Sequence, residues 1–261
     1  MIPLSDENPT MRTPTMTWII LGAMFVVWFS VQGGGMNPLA LVVSVCNYGM
    51  VPGELTHRAA IGLRIPIATG LDCVVDNEPI NKWTPLISMF LHGGWGHILG
   101  NAIFFWVFGN NIEDSMGAMR FLAFYLICGL AAAATHVMMS PASPVPTVGA
   151  SGAISGVLGA YLVLYPNVRV NMLIPPIFWR TFAIRAWIVL IWWFGEQALS
   201  AYLTPLNPDV SNGVAVWAHI GGFVSGVLLV KVFEDKSLVA QRNAIRGERQ
   251  WITQEYQQPR G

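Results

Sequence analysis

Two short motifs in this chain carry side chains that could act as a nucleophile and its base. Ser151 sits in Gly149-Ala-Ser-Gly152 and His219 in Ala218-His-Ile-Gly-Gly222, and each motif opens a hydrophobic segment. An imidazole within hydrogen-bond reach of a hydroxyl can take its proton and activate it for attack on a carbonyl. A third motif, His92-Gly-Gly-Trp-Gly-His97-Ile-Leu-Gly-Asn101, places His97 and Asn101 at i and i+4, on one helix face. His and Asn side chains are suitable donors to a developing oxyanion.

Each of these residues also has a plainer use. Gly152, Gly156 and Ala160 form a small-xxx-small stripe, on which serine is common packing glue. A buried histidine such as His219 can bond a carbonyl and only hold helices together. His97 and Asn101 can make interhelical hydrogen bonds, each about 0.6 kcal/mol. Metal ligation is the competing use of His92, His97 and His219. The first two are five apart, off the i, i+4 spacing of helical histidine pairs, and no carboxylate lies near them in sequence. The expectation is therefore no metal. Gly-x-Ser-Gly resembles the nucleophile elbow of soluble hydrolases, but no strand precedes it here.

The elements that must position these residues are membrane helices. The 261 residues are 54% hydrophobic and only 11% charged, against about a quarter charged in ordinary soluble domains. Eleven Trp fit aromatic belts at two interfaces. Net charge is +0, which gives no field for nucleic acid. Six apolar stretches, roughly 17–35, 85–109, 120–139, 150–165, 184–203 and 213–233, approach the ~20 residues that span a bilayer. The expected fold is an all-α polytopic membrane bundle of six helices over 15–233. An N-terminal arm, 1–14, and a polar tail, 234–261, flank it. The tail is expected to be a solvated helix over Leu238–Tyr256.

With the N-terminus cytoplasmic, eleven Lys and Arg fall inside (Arg12 and Arg120 among them) and only Arg58, Arg64 and Lys82 outside. Both termini are then cytoplasmic, and helices two, four and six start from the outer face. The first stretch has no A-x-A-like cleavage site and is not expected to be removed. No transit peptide is seen, which favours a bacterial inner membrane.

Helix four holds about 16 residues, ~24 Å, short of a ~30 Å hydrocarbon core. It must begin below the outer surface, which sinks Ser151 into a pocket near free helix N–H groups. His219, about six residues into helix six, is ~9 Å deep. Gly222 and Gly226 share its face and allow close approach to the glycine face of helix four. That approach would bring Ser151 and His219 together.

The outer loop, about 36–84, is long for one without a role. Its apolar pieces, Leu39–Val45 and Ile61–Ala68, are expected in the interface plane. Cys46 and Cys73 lie in this loop and either pair, if that side is oxidising, or stay as thiols. Glu196-Gln197 in helix five is expected to face a wet cavity.

Taken together, the three motifs resemble those of the rhomboid family of intramembrane serine proteases. The resemblance covers about 15–233 and rests on His97-x-x-x-Asn101, on Gly149-x-Ser151-Gly152 and on Ala218-His219-x-x-Gly222-x-x-x-Gly226. The turn Gly109-Asn-Asn-Ile-Glu113 also fits. The resemblance implies peptide-bond hydrolysis in or beside a substrate's transmembrane helix, within the bilayer and without a cofactor. Ser151 would be the nucleophile and His219 the base; His97, Asn101 and the Ser151 amide would hold the oxyanion, and His92 would line the water cavity. One position departs: some family members carry an aromatic four residues after the serine that stacks on the histidine, and here that residue is Ser155. Such a ring must come from elsewhere or be absent. A catalytically silent relative that binds transmembrane clients is the alternative, as is a small channel or transporter, for which no inverted repeat is seen.

Overall fold

The computed structural model describes residues 1–174, 178–203, 215–242 and 244. Six longer helices build the bundle: α1 (Thr15–Ser30), α5 (Trp95–Met116), α6 (Ala118–Met139), α7 (Ser151–Leu164), α8 (Ala186–Leu203) and α9 (Val216–Phe233). Between α1 and α5 lie α2 (Pro38–Tyr48), α3 (Pro52–Leu55), the hairpin β2 (Arg64–Ala68) and β3 (Leu71–Val74), and α4 (Thr84–Ile87). Among the described residues, α6 and α9 are long and apolar enough to cross a membrane, while α1 and α7 are apolar but shorter. Helix dominates, as expected.

Strands are the departure from the all-α expectation. β1 (Ile2–Asp6), β4 (Arg169–Ile174) and β5 (Phe178–Arg185) form an antiparallel sheet in the order β1-β4-β5. The N-terminal arm is thus partly a strand, with Ile2 opposite Leu173 and Asp6 opposite Val170. Val170 and Met172 are buried in the period-two pattern of a half-covered strand. The second apolar stretch is also displaced. Pro85 and Gly93-Gly94 interrupt helix at its start, and α5 begins at Trp95 and runs on through Asn110-Asn111-Ile-Glu113-Asp114.

Those polar residues extend the helix because they have partners. Pro14 gives α1 no capping side chain. Instead the Glu113 carboxylate accepts from Met16 N and Thr17 N, both at 2.8 Å, and from Thr17 Oγ1 at 2.7 Å. A carboxylate at a helix N-terminus satisfies orphan amides and complements the helix dipole. Trp28, Phe105, Phe108, Phe121, Phe124 and Tyr125 are fully buried in the core that these helices share.

α7 is the centre of the bundle. Gly152 through Tyr161 is buried on every side, and α5, α6, α8 and α9 pack on it. Such an all-round apolar helix is stable only when surrounded. The long loop is a folded layer, in which Leu39, Val43, Ile61 and Ile67 of the two apolar pieces stay exposed. A Cys46–Cys73 disulfide ties α2 to β3, so the open question about these cysteines resolves to pairing. Met50 and Thr147 exchange backbone hydrogen bonds at 2.9 and 2.8 Å, and Gly53 N donates to Ser143 O. The layer thus holds the α6–α7 connection. At the other end of the chain, residues 236–242 are helical, but Arg242 is buried against α5 and α7 rather than solvated. Most of the expected Leu238–Tyr256 helix, and the first residues of the 213–233 stretch, lie outside the described residues.

Candidate active site

Ser151 is the first residue of α7, and its place is set by the turn before it. Gly149 has φ +125°, a conformation that L side chains rarely adopt, and its N–H donates to Ser88 O at 2.9 Å. A Cβ on Gly149 would sit 2.6 Å from His97 Nε2, so only glycine lets the turn lie against that ring. The first amides of α7 have no carbonyl within the helix to bond, and they point toward this end of the bundle.

α7 and α9 run side by side with their glycines interlocked. A Cβ on Gly222 would meet Gly152 O at 2.0 Å, and one on Gly226 would meet Gly156 O at 1.9 Å. From the other side, a Cβ on Gly152 would strike Ala132 and one on Gly156 would strike Cys128. Backbone-to-backbone contact along this seam sets the register that puts Ser151 opposite His219. Ser151 Oγ and His219 Nε2 are 2.8 Å apart.

The other ring nitrogen, Nδ1, lies 2.8 Å from Gln197 Oε1 on α8. An amide oxygen only accepts, so Nδ1 carries the proton and Nε2 is bare to accept from the Ser151 hydroxyl. Trp193, one turn before Gln197, lays its indole 5.9 Å from the His219 ring, centroid to centroid, tilted by 40°. This is an aromatic neighbour from elsewhere. Ser155, where an aromatic was looked for, instead donates to Ser151 O at 2.6 Å.

His97 and Asn101 reach the same space from α5. Gly93 N donates to His97 Nδ1 at 3.3 Å, which leaves Nε2 as the ring's donor. Asn101 Nδ2 is buried with no partner among the described residues. Ser151, His219, His97, Asn101, Thr147 and Trp193 all line one pocket of about 370 Å3, within the usual size range for ligand sites. His92 is not among the side chains of that wall, against the expectation that it lines the cavity. It packs edge-on behind His97 at 5.2 Å, and Gln32 clamps its backbone through His92 N and His92 O, both at 2.8 Å.

Three side chains at this site carry more than the sequence indicated. Gln197 was visible as a polar residue in an apolar helix, but not its target. Glu196 beside it is exposed and accepts from Trp192 Nε1 at 2.9 Å, so only one of the pair faces inward. Trp193 was one of many tryptophans. His136 on α6 pairs with Thr147 Oγ1 at 3.2 Å, and only its position near the end of an apolar helix marked it.

The sequence model of the family described as Rhomboid domain matches residues 80–235, which contain every one of these site residues. RHOMBOID-like protein 5 of Arabidopsis thaliana is 28% identical over 85% of this chain and 69% of its own length. Rhomboid protease GluP of Bacillus subtilis is 27% identical over 82% of this chain and 34% of its own. RHOMBOID-like protein 4 of Arabidopsis thaliana is 31% identical over 79% and 43%. Beyond the first of these, the chain spans less than half the length of the relatives named.

Proposed function

The chain belongs to the rhomboid family, and from that premise we propose that it is an intramembrane serine endopeptidase. Its substrates are transmembrane helices of other membrane proteins. The observation that carries the reading is the 2.8 Å approach of Ser151 Oγ and His219 Nε2 inside a pocket that His97 and Asn101 also line.

In the proposed reaction Ser151 Oγ attacks the scissile carbonyl while His219 Nε2 takes its proton. The imidazolium returns that proton to the leaving amine, and an acyl-serine forms. Water then attacks the ester with His219 again as base, which frees the carboxylate and restores the serine. The oxyanion of each step is held by His97 Nε2–H, Asn101 Nδ2–H and the Ser151 amide. A helix hides its carbonyls in its own hydrogen bonds, so the substrate must unwind at the cut. Helix-breaking residues near the cleaved bond are expected.

The proposal places six spans, α1, α5, α6, α7, α8 and α9, across the bilayer over 15–233, with 1–14 and 234–261 on the cytoplasmic side. The Lys and Arg bias supports this orientation. It puts the Cys46–Cys73 pair on the outer side. A disulfide persists in an oxidising compartment, which fits the periplasmic face of a bacterial inner membrane.

The test treats the purified protein in detergent with a fluorescent serine-hydrolase probe and with a model transmembrane substrate. Wild-type labelling and cleavage that Ser151→Ala and His219→Ala both lose is the expected result. A folded wild type that neither labels nor cleaves would make this a client-binding protein without catalysis.

A further inference from the structure

We infer that Gln197 is the positioning residue for His219, supplying from α8 the acceptor that fixes which ring nitrogen faces Ser151. This inference rests on the protease reading above and adds to the Ser–His pair a third residue that touches neither substrate nor serine.

His219 Nδ1 has Gln197 Oε1 at 2.8 Å, and no other polar partner for that atom is found among the described residues. Without it the neutral imidazole could carry its proton on either nitrogen. The wrong tautomer would present N–H to Ser151 and could accept nothing. The amide oxygen selects the productive form, and the Trp193 ring, one turn earlier on the same face, limits rotation of the imidazole.

The neighbouring residue sharpens the argument. α8 carries an acid and an amide side by side, and the fold turns the amide inward. Glu196, about 100° round the helix, is exposed and bonded to Trp192. A carboxylate beside His219 would put a charge into a low-dielectric site that is uncompensated while the ring is neutral and paired only once the ring is protonated. An amide orders the ring at no such cost. The helix that performs this is peripheral: only Ala186, Val189, Leu190 and Ala201 of α8 are buried. At this level Trp193 and Phe194 supply the apolar packing, both against Phe223, which leaves Gln197 little packing duty that would explain its type.

The experiment uses the full chain in detergent, as wild type, Gln197→Leu and Gln197→Glu. It measures kcat and KM on a model transmembrane substrate across pH, and the nitrogen-15 spectrum of His219. Gln197→Leu is expected to lower kcat by about 10²-fold, the cost of a small misplacement of a catalytic group, with KM little changed. Its His219 resonances should show mixed tautomers where the wild type shows Nδ1–H alone. Gln197→Glu keeps an acceptor and should recover most of kcat. Its added charge should move the acidic limb of the kcat/KM profile to higher pH by about one unit or more. Equal kcat in all three variants with an unchanged tautomer would overturn the inference while leaving the protease reading intact. So would a loss in Gln197→Glu as deep as in Gln197→Leu with an unmoved profile, because that is a packing effect. If the wild type cleaves nothing, the tautomer signal still decides: its loss in Gln197→Leu supports positioning, and its persistence refutes it.

Discussion

The molecule buries polar side chains at both ends of its bundle and treats them in opposite ways. At the end away from Ser151 they are paired. Arg242 is held by Asn111 O at 3.2 Å, by Asn111 Oδ1 and Tyr165 OH, and by Asp114 at 3.8 Å. The Asp114 carboxylate also accepts from Met11 N at 3.0 Å and Arg12 N at 3.1 Å. Asp6 accepts from Asn111 Nδ2 at 2.7 Å and from Tyr161 OH. Asn8 Nδ2 is the exception there. At the Ser151 end, both ring nitrogens of His92, Asn101 Nδ2 and His136 Nδ1 are buried without a partner among the described residues. An unpaired buried polar group costs about 1–3 kcal/mol, so the Ser151 end carries several such costs, with Asn101 Nδ2 at the pocket wall and the others outside its lining. The paired end ties the N-terminal strand and residues 236–242 to α5 and α7.

The contrast breaks most sharply if the two ends are mutated in parallel. Ser151→Ala should remove nearly all cleavage, a loss of about 10⁶ in kcat, with an unchanged melting temperature in detergent. Arg242→Ala should do the reverse. It strands the buried Asp114 and should cost about 3–5 kcal/mol of stability, read by thermal melting, while molecules still folded keep their turnover. A melting loss in Ser151→Ala, or a turnover loss in folded Arg242→Ala, would mean that the ends are not independent.

Asn101→Ala should lower kcat by about 10²–10³. Because Asn101 Nδ2 has no partner among the described residues, stability should hold or rise. A fall in melting temperature without a fall in kcat would assign Asn101 to packing. Gly222→Val acts on the seam between α7 and α9 close to the Ser151 end, since a side chain there meets Gly152 O. It should lose about 1–3 kcal/mol to overpacking and also lose activity, because the same seam sets the Ser151–His219 distance. Stability lost with full labelling by a serine probe would mean that the seam does not position the dyad.

The chain's residues announce the unpaired end far better than the paired one. Gly149, Ser151, His219, His97 and Asn101 sit in short local patterns whose spacing alone brings them to common faces and depth. The paired end is built from contacts between residues 77 to 155 apart, such as Arg242 with Tyr165 or Tyr161 with Asp6, and no local spacing marks them. β1 and β4 escaped for the same reason. Each is short, and the alternation of Val170 and Met172 lies between two apolar helices that dominate any hydrophobic window. Cys46 and Cys73 could not be paired without the fold of the outer layer. Gln197 against Glu196 turned on one residue of helical phase, finer than the boundary of α8 can be drawn from sequence.

The smallest effect is a pH slope confined to the paired end. Asp6 has its pKa raised from 3.8 to about 6, chiefly by burial, although the hydrogen bond from Tyr161 and the charge of Arg242 pull it down. A carboxyl raised in the folded state holds its proton there after the unfolded chain has released it. Its contribution is therefore fully present below pH 3.8 and is lost as pH rises through about 6. Melting temperature should fall across that window, and Asp6→Asn should flatten the slope while leaving the pH dependence of cleavage in place. A slope that survives Asp6→Asn would move the titration to another group, with Glu54 next. That carboxyl is raised from 4.5 to about 7 by burial in the loop layer above the Ser151 end. A slope traced to Glu54 would tie pH to the layer that holds the α6–α7 connection, and the two ends would no longer divide into one for stability and one for chemistry.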